Sequence, residues 1–174
     1  MKFGSFALLL IVALSGCSSA GNYDESSRPS TTPTPTADTA SIAQWAGLVA
    51  ERKLELDDWY EDWDDAICSS AASTEIDCNV QLTIATFLAQ TNHIVIAAPS
   101  DPAAKTYLGK VPAEISSLYA ETISLTEEAQ TAGDAWSEAG CESGEAGDCI
   151  GLAFEFESAL DSVRTKFAAW SPYL

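Results

Sequence analysis

Ala153-Phe154-Glu155-Phe156-Glu157-Ser158-Ala159-Leu160-Asp161-Ser162-Val163-Arg164-Thr165-Lys166-Phe167-Ala168-Ala169-Trp170 is the stretch whose reading decides the fold. Ala153, Phe156, Leu160, Val163, Phe167 and Trp170 recur at alternating steps of three and four residues. A helix turns once in 3.6 residues, so such steps stack on one face, whereas a strand needs steps of two. The stretch therefore predicts a helix with one apolar stripe, opened by Asp148 as cap and closed by Ser171-Pro172.

The same alternation recurs upstream. A first segment, from about Ser41 to Ile67, places Ile42, Trp45, Val49, Leu56, Trp59 and Trp63 on one stripe, and Ser41 and Gln44 have capping-box spacing at its start. A second runs from about Asn79 to Ala97, with Val80, Ile84, Phe87, Thr91, Ile94 and Ala98 as its stripe and Pro99 as its stop. Its β-branched residues leave strands as an alternative there. Asp101-Pro102 reads as the start of a short helical turn through Leu108, and Pro112 as the start of a third segment reaching about Ala139. The third stripe is Ile115, Leu118, Thr122, Leu125, Ala129, Ala132 and Trp136. Four such helices joined by short connections predict an all-α fold, an antiparallel up-down four-helix bundle over residues 41–174.

Four cysteines lie within this region: Cys68, Cys78, Cys141 and Cys149. Spacings of ten and eight are wrong for paired zinc knuckles. Each pair instead brackets a short polar loop between helical segments, so Cys68–Cys78 and Cys141–Cys149 are the expected disulfides, both at one end of the bundle. Closing a loop of about ten residues stabilises by roughly 2.5–3 kcal/mol.

The N-terminus has a different character. Lys2 is followed by nine uninterrupted apolar residues, Phe6 to Leu14, too few for the roughly twenty that span a bilayer. This pattern fits the apolar core of a signal peptide, and it ends in Leu14-Ser15-Gly16-Cys17. These four residues resemble the lipobox of bacterial lipoproteins. The resemblance implies that residues 1–16 are a signal peptide, and that the Cys17 thiol accepts a diacylglyceryl group. Ser18 resembles the pattern of lipoproteins sent to the outer membrane where the host has two membranes. Residues 17–40, rich in Ser, Thr and Pro, bury too little apolar surface to offset their ordering entropy and are expected to be a disordered linker. The implied location is outside the cytoplasm, on a membrane.

Composition bounds the partners. The chain has 26 acidic and 8 basic residues, a net charge of −18. Nucleic acid is excluded on sign, and adsorption to anionic lipid is disfavoured. The acids concentrate at the far end of segment one: Asp57, Glu61 and Asp65 repeat at four-residue spacing, as do Asp58 and Asp62, with Asp64 between them. Like charges at that spacing each cost a few tenths of a kcal/mol, and negative charge near a helix C-terminus opposes its dipole. Glu75, Asp77, Glu142, Glu145 and Asp148 fall in the loops at the same pole, while Lys105, Lys110, Arg164 and Lys166 fall toward the opposite one. Trp59 and Trp63 fit the core stripe; Tyr60 lies off it and is a candidate exposed contact.

Catalytic patterns are missing. The single histidine, His93, has no Glu-x-x-His partner for a di-iron site and reads as exposed or structurally bonded. Gly-rich phosphate loops and nucleophile elbows are absent, so no cofactor is implied. The expectation is a non-enzymatic interaction module whose acidic surface (Asp57, Asp58, Tyr60, Glu61, Asp62, Asp64, Asp65) takes a basic protein or peptide. A divalent-cation-binding lipoprotein and a cell-envelope hydrolase with an unrecognised carboxylate site are the alternatives.

Overall fold

The computed structural model describes residues 40–143 and 148–174. The lipobox, the signal peptide, nearly all of the linker and Glu145 lie outside the described residues. Four helices, α1 (Ile42–Asp65), α2 (Ile76–Ala97), α3 (Ser116–Glu138) and α4 (Cys149–Ala168), form a bundle joined by short loops and 3-10 turns. Sequence neighbours pack together, and α1 closes the ring against α4.

The caps are the expected ones. Ser41 Oγ accepts the Gln44 amide while the Gln44 side chain accepts the Ser41 N–H, completing the capping box. Asp148 accepts the Gly151 N–H at 3.1 Å and opens α4. The residues from Asp101 to Leu108 are a correction: they form turns rather than a helix. The Asp101 carboxylate accepts the Ala103 N–H at 2.8 Å, and the Ala104 and Tyr107 amides each reach back three residues. An Asp side chain that satisfies the amide two residues on stabilises an isolated turn, which competes with helix propagation.

Both disulfides form in the predicted connectivity, with Cα–Cα separations of 5.3 Å (Cys68–Cys78) and 5.5 Å (Cys141–Cys149). Their surroundings repeat. α1 and α3 each end on an αR residue, Ala66 or Ala139, then a left-handed residue, Ile67 (φ 56°) or Gly140 (φ 76°), then the first cysteine of a pair. Each second cysteine sits in the first turn of the following helix. Asn79 Nδ2 joins the two units by donating to the Cys141 carbonyl at 2.7 Å.

The α4 stripe is buried as read: Ala153, Phe156, Leu160, Val163, Phe167 and Trp170 are all within the core. On α1, Trp45, Val49, Leu56, Trp59 and Trp63 are buried, with Ile42 half-buried beside them. α3 buries Ile115 (in the turn before it), Thr122, Ala129 and Trp136. Leu118, Leu125 and Ala132 lie at the edge, while Tyr119, Thr126 and Gly133 turn inward instead. At Gly133 the Phe156 ring of α4 comes in close, since a Cβ there would stand 3.0 Å from it.

α2 is helical throughout, but the face read as its core stripe points outward. Val80, Ile84, Phe87, Thr91 and Ile94 are exposed and Ala98 is half-buried, whereas Cys78, Leu82, Ala85, Ala89, Asn92 and Ile96 are buried. The reason is steric. Two alanines at the centre of the inner face let α2 approach α1 and α3 closely, which the larger Ile84 and Phe87 side chains would prevent. Hydrogen bonds hold the orientation: Trp59 Nε1 donates to the Gln81 carbonyl at 2.9 Å, the Tyr119 hydroxyl donates to the Ile96 carbonyl at 2.6 Å, and His93 Nδ1 lies 3.3 Å from the Thr126 hydroxyl.

Candidate functional site: the acidic face of α1

The second half of α1 alternates inward aromatics with outward acids. Trp59 and Trp63 stack with centroids 5.3 Å apart, and Trp59 meets Tyr60 edge-on at 4.9 Å. These rings fix the helix, so the carboxylates between them must point away from the core. Asp58, Glu61, Asp62, Asp64 and Asp65 are all exposed, and none has an ion pair among the described residues.

Asp57 differs. It is half-buried, bound by Lys53 one turn back, and accepts Arg164 Nε of α4 at 3.0 Å. Partial burial alone pushes its carboxyl up, but the hydrogen bonds and charges of Lys53 and Arg164 outweigh it, leaving the group below its usual carboxylate value. Asp57 is therefore part of the α1–α4 seam, and the acidic strip open to solvent begins at Asp58. Arg164 accordingly lies level with Asp57 and Tyr60, along the bundle rather than at the pole opposite the acids.

Tyr60 is a second correction. It is only 7% exposed, so it offers no surface contact. The Arg164 guanidinium covers its ring at 4.4 Å from the centroid. Burial, reinforced by the negative Asp161, pushes its hydroxyl well above the ordinary tyrosine value against the opposing pull of Arg164. The off-stripe position faces α4, a helix interface that a single-stripe reading of α1 does not contain.

Two other features were not legible as sites. One is an open depression beside the first disulfide loop, lined by Ser69, Ser70, Phe154, Glu157, Ser158 and Asp161. It places two acids on one wall, but Glu157 accepts the Ser70 N–H at 3.1 Å and so braces α4 against that loop. The other is the outer face of α2, where Ile76, Val80, Ile84, Phe87 and Ile94 stand exposed, Phe87 at 66%. A signal for it was present: α2 has one acidic residue, Asp77, and no Lys or Arg, so no charged face marks its outer side.

Among the described residues, no group of three or more His, Cys, Asp and Glu side chains is arranged to hold a metal ion. His93 works as a link between α2 and α3. No protein-family model matches this chain, and no curated protein or solved structure matches it.

Proposed function

We propose that the chain is an extracytoplasmic lipoprotein anchored through Cys17, and that its helical domain is a non-enzymatic interaction module that takes a basic protein or peptide on the acidic face of α1. The observation that carries this reading is the run of five exposed carboxylates, Asp58 to Asp65, which are without ion-pair partners among the described residues while Asp57 beside them is doubly paired. Such a run carries like-charge and dipole penalties within its own helix, and a cationic partner would relieve both. Two disulfides support an oxidising compartment, in keeping with export.

Two measurements test the reading separately. Mass spectrometry of the matured protein is expected to find a lipid-modified residue 17 at the new N-terminus, and an unmodified thiol or an intact leader would refute the anchor. Pull-down at low and high salt is expected to retain basic partners only at low salt, and to lose them when Asp58, Glu61, Asp62, Asp64 and Asp65 are changed to Asn or Gln. Binding indifferent to both changes would end the proposal.

A further inference from the structure

α2 has two apolar faces, and the bundle uses only one. Ile76, Val80, Ile84, Phe87 and Ile94 form an exposed ridge at steps of four and three along the helix, interrupted only by Thr91. At its Ile94 end the ridge runs into an apolar hollow of about 410 Å³ shaped by Leu48, Val95, Pro99 and Leu108. Contiguous apolar surface of this kind, left open along a helix, marks a place where something docks.

The flanks say what kind of partner fits. Trp59 touches α2 through Gln81, so Glu55, which Arg52 already pairs, and the unpaired Asp62, one turn either side of Trp59, border the groove between α1 and α2. Thr126 touches α2 through His93, so Asp134, two turns on along α3, borders the opposite groove. The antiparallel register set by these two contacts brings Glu55 and Asp134 level with Ile84 and Phe87. Neither α2 nor α3 contains a Lys or Arg. On α1, Arg52 and Lys53 are already engaged by Glu55 and Asp57. Along Val80 to Phe87 a second copy of the chain would therefore set acid against acid, and an anionic lipid surface would be repelled likewise, while Lys105, exposed next to the hollow-lining Thr106, is a cation at the other end of the ridge.

Resting on the basic-partner reading above, we infer that the outer ridge of α2 is the seat of a cationic amphipathic helix. Its apolar side lies on Val80, Ile84, Phe87 and Ile94, and its Lys and Arg side chains reach the acids of α1 and α3 on either flank. The arrangement is a helix laid along a ridge with electrostatic rails: apolar contact supplies affinity, and the flanking charge supplies orientation and sign selectivity.

The test titrates the full chain with a model helix carrying Leu on one face and Lys on the other. A scrambled peptide of identical composition and a Leu/Glu helix are the comparisons. The Leu/Lys helix is expected to bind best and to weaken about tenfold in Ile84→Gln/Phe87→Gln, a pair that leaves net charge and the unfolding midpoint unchanged. Ile94→Gln, at the hollow, provides a second variant should the first lose its fold. Glu55→Gln/Asp134→Asn is expected to weaken binding and flatten its salt dependence. Equal affinity for wild type and the folded Gln variants overturns the inference, as does equal binding of the Leu/Glu helix. So does a loss of self-association or vesicle binding in the Gln variants with peptide binding intact. If both Lys peptides bind equally and binding vanishes only on neutralising Asp58 to Asp65, this docking face fails and the acidic-surface reading survives. No binding of any basic peptide at low salt defeats both.

Discussion

The Arg164 guanidinium lies 4.4 Å from the centre of the Tyr60 ring while its Nε donates to Asp57 at 3.0 Å, so one side chain closes α4 onto α1 by two different interactions. Arg164→Gln is expected to cost about 1 kcal/mol, the sum of a half-exposed cation–π contact and a surface ion pair. Arg164→Lys should recover only part of it, because an ammonium cannot stack on the ring and meet the carboxylate with the same planar group. Urea midpoints of the three proteins check this.

The same seam gives the stability a pH dependence at both ends. Asp57 is held below its ordinary value of 3.8, so its contribution is present above that pH and is lost as pH falls through the lower value of the folded state. Tyr60 is pushed above its ordinary value of 10.0. Below pH 10 both folded and unfolded forms keep the proton; above it the unfolded chain ionises while the folded hydroxyl stays protonated, and stability falls. Tyr60→Phe is expected to move the alkaline unfolding midpoint upward with little change at pH 7, where the buried hydroxyl has no hydrogen-bond partner among the described residues. Asp57→Asn should flatten the acid limb alone. Denaturant titrations across pH separate the two.

Ile67 and Gly140 occupy equivalent positions with unequal suitability. At the end of α1 the Ile67 amide donates to Asp64 and the Cys68 amide to Trp63, the paired bonds of a Schellman motif, and that motif needs a left-handed residue. Gly140 meets the need after α3 without strain, whereas Ile67 is β-branched and 88% exposed, so no packing offsets its left-handed backbone. Ile67→Gly is expected to stabilise by about 1 kcal/mol, and Gly140→Ala to destabilise by a similar amount. Thermal unfolding with both disulfides intact measures the pair.

Legibility in the sequence followed side-chain size and charge. α4 and α1 were readable because most of their large apolar residues, Phe156, Phe167, Trp45 and Trp63 among them, recur on one stripe and are buried, with Phe154 an exposed exception. Cap residues Ser41 and Asp148 act through local geometry, and cysteine spacing is a local constraint too, so both were legible from position alone. α2 was readable as a helix and misread as to face, because close packing of α1 and α3 selects Ala85 and Ala89 for the interior while periodicity weighs Ile84 and Phe87 more heavily. Tyr60 was misplaced for a related reason: α1 packs on two neighbours, so its buried surface is wider than one stripe. The pairing of Asp57 with Arg164, 107 residues later, is a tertiary contact that no local pattern carries. The acidic strip itself was legible; which of its members were already spoken for was not.

The proposed docking surface depends on which way α2 is turned, and a pair of truncations measures that directly. Leu82→Ala is expected to lose about 2–5 kcal/mol of unfolding free energy, as buried leucines do, and Phe87→Ala less than about 0.5 kcal/mol, as exposed positions do. A large loss at Phe87 with little at Leu82 would turn the helix over, bury the ridge and contradict the account.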